Sequence, residues 1–132
     1  MTFKGELWTQ DYPASQKYGL NRIEGDKADG LGRGKVHYGA NSGYQAINLA
    51  YLFGAKKMIL LGFDCKRGPN KESHHHGDHP GPLNKDMPIH TWKKNFPRLA
   101  EDLKAEGVEV MNATRDTALE CFNKTELEVA LC

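Results

Sequence analysis

Four histidines and a carboxylate lie within six residues of the sequence: His74, His75, His76, Asp78 and His79. A histidine titrates near neutral pH, so one of these histidines, on a loop, can act as a general acid or base. Neutral imidazoles also bind zinc, and a metal-binding or metal-dependent hydrolase module built on this cluster is the alternative. No other Cys or His pair has a supporting spacing, so we predict no metal cofactor. An exposed polar loop is the remaining interpretation.

A second group of polar residues lies at the start of one predicted helix and at the tip of the following strand: Asn41, Ser42, Gly43, Asp64, Lys66 and Arg67. Backbone N–H groups at a helix start favour a phosphate or carboxylate, and a strand-end carboxylate can accept hydrogen bonds from ribose hydroxyls. The two cations could stabilise a departing phosphate. These residues predict binding of an anionic small molecule. A capped helix that binds nothing and ordinary surface charge are the alternatives.

The elements that must position these residues are a capped helix and a buried strand. Asn41 and Ser42 supply an N-cap for a helix over residues 44–53, which Gly54 ends. Residues 57–62 form a continuous apolar run, typical of a central parallel strand covered on both faces. A strand at 35–38 would precede the helix. The glycines at 30, 32 and 34 favour a plain loop over a phosphate loop.

Beyond Asp64 the sequence is polar up to residue 87, and helical spacing then returns. The apolar stripe of this helix consists of Ile89, Trp92, Phe96, Leu99 and Leu103. Pro97 is expected to kink the helix or divide it near Asn95. Residues 108–111 predict a second strand, 116–122 a helical turn, and 125–128 a capping box for a last helix. A right-handed crossover would bring the loops after Asp64 and Met111 to the same sheet edge, where such folds bind ligands.

Length and composition indicate a single α/β domain over residues 1–132, with 39% hydrophobic residues among the 132. We divide it into an irregular Gly-rich segment, 1–34, and a parallel βαβ core, 35–132. The net charge of +1 excludes the basic surface of a nucleic-acid or membrane binder. Three cysteines without a CxxC spacing indicate a reducing, cytoplasmic location. No apolar run is long enough to span a membrane, which predicts a soluble protein.

Several segments together resemble a family. Residues 41–64, residues 76–80, Trp92 and residues 112–119 look like uncharacterised phage and prophage proteins, which are in turn similar to bacterial lipooligosaccharide sialyltransferases. The resemblance covers roughly residues 36–131. It implies a Rossmann-like open, mainly parallel sheet flanked by helices, and a cytoplasmic protein of a phage-infected or prophage-carrying host.

The resemblance also implies roles for individual residues. Ser42 and Gly43 would contact the sugar and nucleotide of a CMP-sugar donor, Asp64 would end the donor-site strand, and His79 or His76 would deprotonate the acceptor hydroxyl without a metal. Where the enzymes place tyrosines after the strand-end Asp to hold the leaving phosphate, this chain has Lys66 and Arg67.

The enzymes begin with a strand and a Gly-Pro-Ser-type nucleotide loop, which we do not find here, so we expect the carboxyl-terminal part of a longer fold. The leading hypothesis is a sialyltransferase-like, nucleotide-sugar-binding domain. A remnant that is inactive alone and acts as a phage interaction or assembly protein is a further alternative. A truncated sheet would expose an edge that could pair with a second copy of the chain.

Overall fold

The computed structural model of the protein describes residues 4–68 and 89–132. Within them, small parallel sheets are flanked by helices, which is an α/β arrangement. The elements in chain order are β1 (Trp8–Thr9), α1 (Tyr12–Tyr18), β2 (Asn21–Arg22), β3 (Gly25–Asp26), β4 (Val36–His37), α2 (Ser42–Leu52), β5 (Lys57–Leu60), α3 (Ile89–Ala105), β6 (Glu109–Asn112), β7 (Asn123–Lys124) and α4 (Leu127–Ala130). None of the described helices has both the length and the apolar character needed to cross a membrane.

The largest described sheet has three parallel strands in the order β5-β6-β7, with Lys57 opposite Glu109 and Leu60 opposite Asn112. Within the described residues β5 is an edge strand, because β4 pairs with β3 in a separate sheet and not with β5. Burial alternates along β5: Met58 and Leu60 are buried, whereas Lys57 is exposed. The prediction of a central strand covered on both faces was therefore wrong.

The buried face of this sheet packs against α2 and α3. Both helices contribute to one apolar cluster with the strand residues: Tyr44, Ile47, Phe96, Leu99, Leu103, Met58, Leu60 and Val110. The Phe96 ring is central to it, with its centroid 5.4 Å from that of Tyr44 and 6.3 Å from that of Phe122. Side chains alternate between the faces of a strand, so Ile59 and Leu61 point away from this cluster. Leu61 is accordingly 56% exposed.

Two predictions about the helices need correction. Helix α3 continues through Pro97 as one element and is not divided near Asn95, since Phe96, Leu99 and Leu103 are fully buried and hold both halves of it on the core. The helical turn predicted over 116–122 does not form. There the Thr117 hydroxyl accepts from the Leu119 N–H, and the Asn112 side chain donates to the Leu119 carbonyl.

The segment 1–34 is more regular than predicted. It contains α1, which begins after the N-cap Asp11, has a proline in its first turn and ends at Gly19 in the left-handed region, with φ 63°. Asp11 Oδ1 accepts from the Ala14 N–H at 2.6 Å. The helix connects the parallel strands β1 and β2, so this part of the chain forms a small parallel unit of its own.

The glycine-rich loop before β4 is held by side chains of the helices. Asn48, fully buried on α2, accepts from the N–H groups of Gly32 and His37 and donates to the Gly32 carbonyl. Asp102 accepts from the Leu31 N–H at 2.9 Å. These N–H groups are used within the fold, which supports the plain-loop interpretation of the glycines over a phosphate-binding loop.

Candidate functional site

The loops that follow β5 and β6 are joined by hydrogen bonds at the carboxyl end of the sheet. The Phe63 N–H donates to Thr114 Oγ1 at 2.9 Å, and the Thr117 hydroxyl donates to the Phe63 carbonyl at 2.6 Å. The Ala118 N–H donates to the Asp64 carbonyl at 2.8 Å. The two loops therefore emerge at one edge of the sheet, as the parallel crossover predicted.

A pocket of about 880 Å³ lies between these loops and the start of α4, and we call it the strand-end pocket. Its lining comprises Leu61, Gly62, Asp64, Lys66, Arg67, Gly68, Ala113, Thr114, Arg115, Asp116, Glu126, Leu127 and Glu128. Such a volume lies in the range of small-molecule and cofactor sites.

The charges in the strand-end pocket have an uneven distribution. The cations Lys66, Arg67 and Arg115 come from the two strand-end loops, and so do the carboxylates Asp64 and Asp116. Glu126 and Glu128 belong to the segment that begins α4, which contributes carboxylates as its only charged groups. Lys66 forms an ion pair with Asp116, which lowers the pKa of that carboxyl. Because Asp116 is 83% exposed, we expect this pair to contribute little to stability and to open readily for a ligand.

The predicted residues of the helix start lie beside this edge but outside the strand-end pocket. The Asn41 side chain accepts from the Tyr44 N–H at 3.1 Å and so acts as the N-cap of α2. Gly43 packs on the Phe63 ring, where an added Cβ would lie 2.6 Å from Cε1. Ser42 lines a different groove, on the side of α2 that faces β1. Asp64, Lys66 and Arg67 are the predicted residues that the structure brings together.

The histidine cluster lies outside the described residues. This applies to the predicted bases His76 and His79 and to the other members of the alternative metal site: His74, His75 and Asp78. In residues 4–68 and 89–132, no group of three or more His, Cys, Asp or Glu side chains is placed to hold a metal ion.

Cys65, beside the strand-end pocket, has the properties of a packed residue. It is buried in the core cluster, and its burial raises the pKa of the thiol. Cys121 packs against the same cluster, and burial raises its pKa to about 11. A thiol that stays protonated is a poor nucleophile, so neither residue is a candidate for covalent catalysis.

Sequence reasoning missed four charged residues of the strand-end pocket, Arg115, Asp116, Glu126 and Glu128. No local motif marks them as binding residues, because the capping-box pattern over 125–128 predicts only a helix start. The signal that could have indicated them is their position directly after a strand or at a helix start at the ligand-binding edge.

Comparisons with protein-family models, with curated proteins and with solved structures return no match.

Proposed function

We propose that the strand-end pocket binds a nucleotide sugar and that the chain is part of a sialyltransferase-like, Rossmann-like glycosyltransferase fold. The observation that carries the proposal is the convergence of Asp64, Lys66 and Arg67 from the first loop with Thr114 and Arg115 from the second on one pocket. Ligands of open α/β sheets bind at the carboxyl ends of the strands, which is where this pocket lies.

The charges of the lining support a ligand that carries both an anionic phosphate and hydroxyl groups. Arg115 and Lys66 suit phosphate oxygens, since charge-assisted hydrogen bonds to guanidinium and ammonium groups are strong. Asp64, Glu126 and Glu128 are carboxylates and accept hydrogen bonds from ribose or sugar hydroxyls. A CMP-sugar combines the two features, with one phosphate between the hydroxyls of the ribose and those of the sugar.

The reaction that fits the proposal transfers the sugar to an acceptor hydroxyl. The acceptor oxygen attacks the anomeric carbon while the bond to the phosphate oxygen breaks, and the phosphate leaves with the bonding electrons. A general base takes the hydroxyl proton, the role that the family resemblance gives to His79 or His76. Lys66 and Arg115 would stabilise the charge that develops on the leaving phosphate.

Isothermal titration with CMP tests this proposal on the full chain. We expect saturable binding, and we expect Arg115→Ala to weaken it about tenfold because it removes one charged hydrogen-bonding group. The matched control is Lys94→Ala, which removes an exposed cation of α3 that does not line the strand-end pocket. No heat of binding at millimolar CMP in a folded sample, or equal losses in both variants, would contradict the proposal.

A further inference from the structure

A second cavity, of about 430 Å³, lies between the first strand and α2, and we call it the Trp8 groove. Its lining residues are Trp8, Thr9, Gln10, Asp11, Ile23, Val36, Ser42, Gln45, Ala46 and Leu49. None of them lines the strand-end pocket, so whatever is inferred for the groove does not rest on nucleotide-sugar binding.

The Trp8 groove has an apolar surface with polar groups beside it. Residues 42, 45, 46 and 49 follow the spacing of one helix face, so α2 presents Ala46 and Leu49 together with the side chains of Ser42 and Gln45. The Gln45 amide nitrogen donates to the Tyr38 carbonyl at 3.1 Å, which fixes the amide and leaves its oxygen as an acceptor. The groove thus combines an apolar contact area with hydrogen-bonding groups.

The aromatic wall of the groove is held in place. The Trp8 indole N–H donates to Glu6 Oε2 at 3.0 Å, and the Phe53 ring lies edge-on to it with centroids 5.0 Å apart. Trp8 is nevertheless 36% exposed. A large ring that is held by two neighbours and still accessible loses little conformational entropy when a ligand stacks on it.

Charge decides which ligand suits the groove. Asp11 is the one charged residue among the described residues that line it, and its carboxylate already caps α1 through the Ala14 N–H. A nucleotide or a phosphate would therefore find no cation among these described lining residues, and one oxygen of their single carboxylate is already engaged. The ligand should be neutral, with an apolar face and hydrogen-bonding edges.

We propose that the Trp8 groove binds a neutral pyranose sugar. The weakly positive C–H groups on one face of a pyranose ring would stack on the negative face of the indole, which is the arrangement that the aromatic quadrupole favours. The hydroxyls around the ring would exchange hydrogen bonds with Gln45, Ser42 and Gln10. The groove is then a saccharide subsite separate from the strand-end pocket.

The experiment is an NMR titration of the full chain that follows the indole N–H signals of the two tryptophans. The probes are methyl glycosides of glucose, galactose and N-acetylglucosamine at millimolar concentrations, and Trp8→Phe assigns the signals. We expect at least one glycoside to shift the Trp8 signal saturably. The Trp92 indole, which donates to the Ala40 carbonyl at 2.7 Å outside the groove, should stay in place.

Two variants make the titration specific. Gln45→Ala keeps the Trp8 ring and should weaken binding about fivefold, the value of one neutral hydrogen bond. Tyr18→Ala removes an exposed aromatic side chain outside the groove and should leave binding unchanged. The proposal fails if no glycoside moves the Trp8 signal, if both indole signals move together, or if the Trp8 signal shifts on dilution without sugar, which would show a second copy in the groove.

Discussion

Replacing Asn48 with Ala should remove a large part of the stability of the fold. Asn48 is fully buried, and its side chain makes two hydrogen bonds to the loop before β4 and one to β4 itself. Its Oδ1 accepts from the Gly32 and His37 N–H groups, each at 2.9 Å, and its Nδ2 donates to the Gly32 carbonyl at 2.8 Å. The substitution leaves all three backbone groups without this partner.

The size of the effect follows from those three groups. A buried polar group that loses its hydrogen-bond partner costs about 1–3 kcal/mol, and the loop can relax or admit water in part. We therefore expect the free energy of unfolding to fall by about 3–5 kcal/mol, which is a large share of the about 5–15 kcal/mol of an ordinary domain.

Urea unfolding followed by far-UV circular dichroism measures this loss. The midpoint should fall while the slope against urea concentration stays the same, since the surface exposed on unfolding is nearly unchanged. Asn123→Ala, at an exposed position of β7, is the matched control and should change stability by less than about 0.5 kcal/mol. A loss below about 1 kcal/mol in Asn48→Ala would refute the assignment of Asn48 as the residue that holds the loop.

Gly32→Ala tests the same contact by changing the loop residue that Asn48 binds. An added Cβ would overlap the Lys35 carbonyl oxygen, so the loop must move and its bonds to Asn48 must weaken. Because both substitutions disrupt one network, the double variant should lose less stability than the sum of the single losses. Strict additivity would show that the loop and Asn48 are independent.

Three further predictions follow from the structure. At pH 8 a thiol reagent should react first with the exposed Cys132, because Cys65 is buried and Cys121 is partly buried. The Cys121 pKa of about 11 also leaves only about a thousandth of that thiol as thiolate, and three equally fast thiols would contradict the prediction. Burial raises the pKa of Tyr44 from 10.0 to about 12. The protonated phenol therefore contributes fully to the free energy of unfolding below pH 10, and this contribution is lost as the pH rises through 12. Between pH 10 and pH 12 the free energy of unfolding of Tyr44→Phe should therefore fall by about 2–3 kcal/mol less than that of the parent chain. Parallel profiles of stability against pH for the two proteins would contradict this prediction. Elemental analysis of protein purified without a tag should find no stoichiometric zinc if the transferase proposal holds, whereas one zinc per chain would favour the metal-binding alternative.

The sequence predicted best those elements whose signals are local. The N-cap Asn41, the apolar stripe of α3 and the runs that became β5 and β6 were all recognisable from neighbouring residues. Helix α1 also has local signals, Asp11 at its start and Gly19 at its end. It was missed because only Ser15 of that helix is buried, so no apolar stripe accompanies the caps.

Features that depend on strand pairing could not be predicted from neighbouring residues. The burial of β5 depends on whether β4 becomes its neighbour, and nothing within residues 57–62 encodes that choice. The side of the sheet on which a loop opens is equally non-local. Asp64 and Ser42 were predicted to share a site because their elements are consecutive, yet they line different cavities. Arg115 joins Lys66 only through the pairing of β5 with β6.

A crystal structure of the full chain soaked with CMP tests the central claim most directly. The account predicts nucleotide density in the strand-end pocket, with the phosphate within hydrogen-bonding distance of Lys66 or Arg115 and the ribose near a carboxylate of the lining. An empty strand-end pocket at saturating CMP, or nucleotide bound at any other place on the chain, would contradict it.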